Sequence, residues 1–154
     1  MNAVGSVTVG NGPWFWAAPF ERDGEYGSRG FPSSLPPGAL EARIKGTEGS
    51  STTLVVVATD AVLTKTQAYR LAVMAHSGMS RAIYPVHSPL DGDVVFAAST
   101  GRKPLGDVFA LTRLGTLAAD VVARAIARAV YEATPLPFAG TLPSWRERFG
   151  NKSE

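Results

Sequence analysis

The 154-residue chain has no cysteine. That removes disulfides, thiolate nucleophiles and cysteine-ligated zinc from its chemistry. Histidine is scarce: His76 and His87 are the two in the chain, eleven residues apart and without a third ligand nearby. They make a weak case for a metal, and His76 reads as a helix side chain that packs or faces solvent. Charged residues are only 18% of the chain, and 15 basic against 13 acidic residues give a formal charge of +2. The longest basic pair is Arg102-Lys103. No basic stripe exists to follow a phosphate backbone, so nucleic acid is not an expected partner.

A long uncharged apolar run is also missing. The stretch Leu111 to Thr134 is interrupted by Arg113, Asp120, Arg124, Arg128 and Glu132, which excludes it as a membrane span. Met1 to Gly5 carries neither a basic n-region nor an apolar h-region, so no secretory leader is expected. Together with the lack of cysteine this sets the expectation of a cytoplasmic protein. The chain contains no HExxH, no Walker A loop and no GxSxG elbow, and Gly101-Arg102-Lys103 lacks the upstream glycine of a phosphate loop.

What is present is ordinary globular material, 45% hydrophobic, of a length that suits a single domain over 1–154. Asn2 to Gly10 reads as a short strand that stops at Gly10-Asn11-Gly12. Pro13 to Ser51 is rich in Gly, Pro and Ser after the aromatic opening Trp14-Phe15-Trp16, and reads as one long loop. Thr52 to Thr59 is a nearly continuous β-branched apolar run, the pattern of a strand covered on both faces. Thr64 can cap a helix with Gln67 completing the capping box, and Leu71, Ala72, Ala75, Met79 and Ala82 recur at helical spacing before Pro85. Val94 to Ala98 is a second strand. From Leu111 a long helix is expected to bury Leu114, Leu117, Val121, Val122, Ala125 and Val130, with Pro135 and Pro137 closing it. The charged tail from Trp145 reads as loosely held. Strand, helix, strand, helix suggests a layered α/β or α+β sandwich. So few helices leave one sheet face short of cover, which points to a domain completed by further chain or by other copies.

Two local patterns bear on chemistry. Asp91-Gly92-Asp93 sets two carboxylates around a glycine at a strand entrance, which by itself is most simply a solvated turn. Gly46-Thr47-Glu48-Gly49-Ser50-Ser51 places small residues directly before the hydroxyl of Thr52. Self-cleaving chains need that arrangement, because the hydroxyl must reach the preceding carbonyl and bulk there would block it.

Several blocks, taken in order, resemble the DmpA-like peptidases, the L-aminopeptidase/D-esterase family that includes β-peptidyl aminopeptidases. They are Thr52 to Lys65, Met74 to Ile83, Pro85-Val86-His87-Ser88-Pro89-Leu90-Asp91-Gly92-Asp93-Val94-Val95-Phe96-Ala97, and Ala118 to Ile126. The resemblance implies an α+β fold, the four-layer αββα sandwich shared with ornithine acetyltransferase, with this chain its C-terminal part. It implies a precursor that cuts itself between Ser51 and Thr52. Residues 1–51 would then end the α-chain, and 52–154 would form the β-chain. Thr52 would be the nucleophile and its freed α-amine the base, since such an amine titrates near 7.7–8.0. Asn2 matches the asparagine that stabilises the oxyanion. Asp93 matches an acid that would hold the ammonium of Thr52 or of the substrate, and Asp91 stands where the best-known members carry serine. Ser51 stands where many relatives carry asparagine.

The activity implied is an aminopeptidase or amidohydrolase acting on small peptides, amides or esters. No metal or organic cofactor is implied, and the working assembly is a homo-oligomer, a tetramer of processed chains. The rival expectations are a truncated, uncleaved homologue serving as an oligomerisation or binding module, and acyl transfer of the ornithine acetyltransferase kind.

Overall fold

The computed structural model describes residues 2–42 and 51–150. Its regular elements are β1 (Leu54–Ala61), α1 (Lys65–Ala82), β2 (Val94–Lys103), α2 (Ala110–Tyr131) and a short α3 (Trp145–Phe149). A single 3-10 turn, Ala18–Phe20, lies ahead of them. The chain is a small α+β unit in which β1 and β2 pair in parallel, Val55 opposite Val95 and Val57 opposite Ala97.

The capping box at α1 forms as the sequence predicts. Thr64 Oγ1 accepts from the Gln67 N–H, and the Gln67 side chain accepts from the Thr64 N–H. The helix ends at Ala82, with Pro85 close behind. Leu71, Ala75, Met79 and Ala82 are buried as expected, joined by Gly78, while Ala72 packs at the margin of the core.

The buried face of α2 differs from expectation. Leu117 and Val121 are more than half exposed, and the buried residues are Gly115, Ala118, Ala119, Val122, Ala123, Ile126 and Ala127. The small residues are buried because α1 and α2 approach very closely. A Cβ added to Gly78 would lie 2.3 Å from the Ala119 carbonyl oxygen, and one added to Gly115 would lie 2.3 Å from Met74 Cε. At Gly78 backbone meets backbone, and at Gly115 the Met74 side chain occupies the place of a Cβ, so the larger side chains of α2 are displaced to the flanks.

Both helices cover one face of the sheet, where Val55, Val57, Val95 and Ala97 join the core. The opposite face is bare: Leu54, Val56 and Phe96 are 69%, 70% and 57% exposed. The expectation of a strand covered on both faces is therefore not met by the described residues. β1 alternates exposed and half-buried positions along its whole length.

Residues 2–10 form no regular strand. They make isolated bridges, Asn2 with Thr52, Ser6 with Tyr84 and Thr8 with Phe15. Val4, Val7 and Val9 are buried all the same. The following segment is irregular but packed. Phe15 stacks on Trp145 and meets Tyr26 edge-on, and the buried Tyr26 hydroxyl donates to the Ala17 carbonyl. Glu25 makes a two-pronged ion pair with Arg124 of α2, which ties the segment to the helix layer. The tail is likewise held rather than loose: Trp145 is buried, and α3 carries its own capping box, Ser144 with Glu147. Residues 151–154 lie outside the described residues.

Candidate active site

The start of β1, the first residues of the chain and the turn into β2 meet at Ser51-Thr52. Thr52 donates its N–H to the Asn2 carbonyl at 2.8 Å, and Ser51 bridges to Asp91 in parallel fashion. The five residues singled out in the sequence, Asn2, Ser51, Thr52, Asp91 and Asp93, thus share one hydrogen-bonded cluster. The small residues 46–50 ahead of Ser51 lie outside the described residues.

The Ser51 carbonyl receives two donors. Thr52 Oγ1 approaches it at 2.8 Å, and the Gly92 N–H donates to it at 2.8 Å. Gly92 must lack a side chain, because a Cβ there would sit 2.6 Å from Thr52 Oγ1. The glycine between the two acids is thus a contact requirement, whereas a solvated turn would accept other residues.

Each acid brackets the site differently. Asp91 Oδ1 accepts from the Val4 N–H at 3.2 Å, and Ser88 Oγ lies 3.3 Å from its other oxygen. Asp93 is almost wholly enclosed, its side chain 3% exposed. Its Oδ1 accepts from the Thr53 N–H at 2.9 Å, which fixes the backbone next to Thr52. His87 Nδ1 lies 3.2 Å from Asp93 Oδ2 but out of line for a hydrogen bond, so that oxygen is buried without one.

Gly92, Ser88, Thr53 and His87 also stand at this cluster, and no local pattern in the sequence marks them for it. The structure also brings the two histidines together, with ring centroids 5.3 Å apart. Burial, then the neighbouring His87, holds the His76 imidazole below its ordinary range. No group of three or more His, Asp or Glu among the described residues is placed to hold a metal ion. A cleft lined by Gly27, Arg29, Tyr131, Trp145, Arg146 and Gly150 lies beside α3 and contains no residue of the Thr52 cluster. No helix among the described residues is long and apolar enough to cross a membrane.

A hydroxyl, a doubly hydrogen-bonded carbonyl and two carboxylates therefore meet at the start of β1. Comparison with known proteins supplies the family. Residues 7–141 match peptidase family S58, and the chain belongs to that family. It is 41% identical over 110 residues to an uncharacterized aminopeptidase of Mycobacterium tuberculosis, an alignment covering 64% of this chain and 31% of that protein. An uncharacterized aminopeptidase of Mycobacterium leprae is 39% identical over 94 residues, 54% of this chain and 26% of the other. A 6-aminohexanoate-oligomer endohydrolase of Agromyces sp. is 34% identical over 59 residues, 38% of this chain and 17% of that enzyme. The chain thus aligns with under a third of the length of these relatives.

Proposed function

We propose that this chain is the self-processing part of an N-terminal-nucleophile aminopeptidase or amidohydrolase, cut between Ser51 and Thr52. The observation that carries the reading is the geometry at that peptide bond, where Thr52 Oγ1 and the Gly92 N–H both lie 2.8 Å from the Ser51 carbonyl oxygen. Thr52 Oγ attacks the Ser51 carbonyl carbon, and the Gly92 N–H stabilises the oxygen as it gains charge. The C–N bond then breaks and the hydroxyl proton passes to the departing nitrogen, leaving an ester on Thr52. Water hydrolyses the ester, which frees the α-amine of Thr52 and the carboxylate of Ser51.

In the processed protein the same hydroxyl attacks a peptide, amide or ester substrate and its own amine takes the proton. The family resemblance gives the Asn2 side-chain amide the oxyanion role, and the hydrogen bond from the Thr52 N–H to the Asn2 carbonyl makes the two residues neighbours. Asp91 and Asp93 supply anionic charge near the new ammonium. The names of the relatives, aminopeptidases and a 6-aminohexanoate-oligomer endohydrolase, support an amide-bond substrate. The bare apolar sheet face supports a second sheet laid over it, completing an αββα sandwich, while assembly of processed chains into a tetramer rests on the family resemblance alone.

Intact mass and N-terminal sequencing test the central step. The natural chain should yield pieces 1–51 and 52–154, Thr52→Ser should still cleave, and Thr52→Ala should remain whole. A natural chain that stays intact after long incubation removes the nucleophile assignment and leaves the rival of an uncleaved binding module. Hydrolysis of an aminoacyl p-nitroanilide by the cleaved protein then separates peptidase from acyl transferase.

A further inference from the structure

We propose that His87 is a positioning residue: its Nδ1–H clamps the buried Asp93 carboxylate, and through Asp93 it fixes the backbone that presents the Thr52 hydroxyl. The inference deepens the proposed self-cleavage and rests on that reading for its kinetic consequence. Asp93 Oδ1 is committed to the Thr53 N–H at 2.9 Å. Its Oδ2 is buried, accepts no hydrogen bond, and has His87 Nδ1 3.2 Å away. Buried polar atoms are almost always satisfied, and a carboxylate oxygen left bare in an enclosed site costs more than a neutral group. At 3.2 Å the ring nitrogen is within hydrogen-bond distance of Oδ2, so the bond requires reorientation of the ring and no greater reach.

The backbone of His87 points the same way. Its φ is +55°, in the left-handed region that few side chains occupy, with Asn, Asp and His the commoner occupants. A non-glycine residue persists there when its surroundings hold it, and such residues gather at functional sites. The ring's contacts are Asp93 at the entrance to β2 and His76 from α1, 5.3 Å away between centroids. Burial and the neighbouring His87 disfavour charge on His76, while the Asp93 carboxylate pulls the other way. The two ends of the Asp93 carboxylate therefore join β1 to the loop before β2.

Two variants separate the donor from the backbone. His87→Asn tolerates the positive φ and offers a side-chain N–H at about the place of Nδ1. His87→Gly tolerates the φ and offers none. Cleavage at Ser51–Thr52, followed by mass, should run within about threefold of natural for His87→Asn and about tenfold or more slower for His87→Gly. Equal rates for His87→Gly and the natural chain, or His87→Asn as slow as His87→Gly, overturn the proposal.

A second readout does not need cleavage. In a Thr52→Ala background, the His87 ring N–H should give a slowly exchanging proton NMR signal that is lost on Asp93→Asn. A signal that is absent in the natural Asp93 background, or that Asp93→Asn leaves unchanged, overturns the clamp. A natural chain that never cleaves overturns the reading of Thr52 instead, and the ring N–H signal still decides whether His87 and Asp93 are paired.

Discussion

The two faces of the β1–β2 sheet are built from similar residues and meet different fates. On one, Val55, Val57, Val95 and Ala97 pack beneath α1 and α2. On the other, Leu54, Val56 and Phe96 stand more than half exposed. Apolar side chains on both faces record what a strand expects to meet, and the described residues supply cover for only one face. The lesson is that apolar content in a strand measures the assembly it belongs to, while alternation of burial measures the piece at hand. At roughly 25 cal/mol per Å² the bare face is an unspent driving force for burial against further protein.

The contrast can be broken most directly at the covered side. Gly78→Val forces a side chain into the Ala119 carbonyl and should cost about 3 kcal/mol or more, seen as a lower urea midpoint. A variant as stable as the natural chain would mean that the helices do not meet at this seam. Next in size is Arg124→Ala, which strands Glu25 and should cost about 1–2 kcal/mol at neutral pH. The Arg124 guanidinium holds the Glu25 carboxyl below its usual range, so the folded pKa is depressed. This stability is present above the unfolded carboxylate pKa and is lost as pH falls through the folded one, so the gap between variant and natural chain should close in acid.

On the bare face, Phe96→Ser should cost less than about 1 kcal/mol in this chain and reduce self-association. In a protein that includes the covering sheet, the same change should cost about 3 kcal/mol. Equal small costs in both contexts would show that nothing covers this face. The smallest effect belongs to His76. Its folded pKa is depressed by burial, so on acidification the unfolded chain takes up the proton first and stability falls as pH drops below the ordinary histidine range. His76→Gln should flatten that dependence in urea melts across the same range, and an unchanged slope would assign it to other groups.

Local signals in the sequence located α1 and α2 well, while the short α3 was read as a loose tail. The Thr64–Gln67 capping box and Pro85 bound α1 because caps and prolines act within one turn of chain. Both strands were legible, although β2 runs on to Lys103 and β1 begins at Leu54. The buried side of α2 was misread at Leu117 and Val121, since periodicity ranks residues by hydrophobicity while a close helix pair selects them by size. The loop from Pro13 showed no regular element, yet Phe15 and Tyr26 are core residues held by contacts far along the chain.

Of the site, the sequence by itself determined the ingredients: a hydroxyl after small residues, two acids around a glycine, and block-wise likeness to one peptidase family. That Gly92 must be bare, that its N–H faces the Ser51 carbonyl, and that His87 stands against Asp93 were decided only by the tertiary structure. The reason is distance along the chain. Thr52 and Gly92 are strangers in sequence, and only the parallel pairing of β1 with β2 lays the turn before one strand against the start of the other.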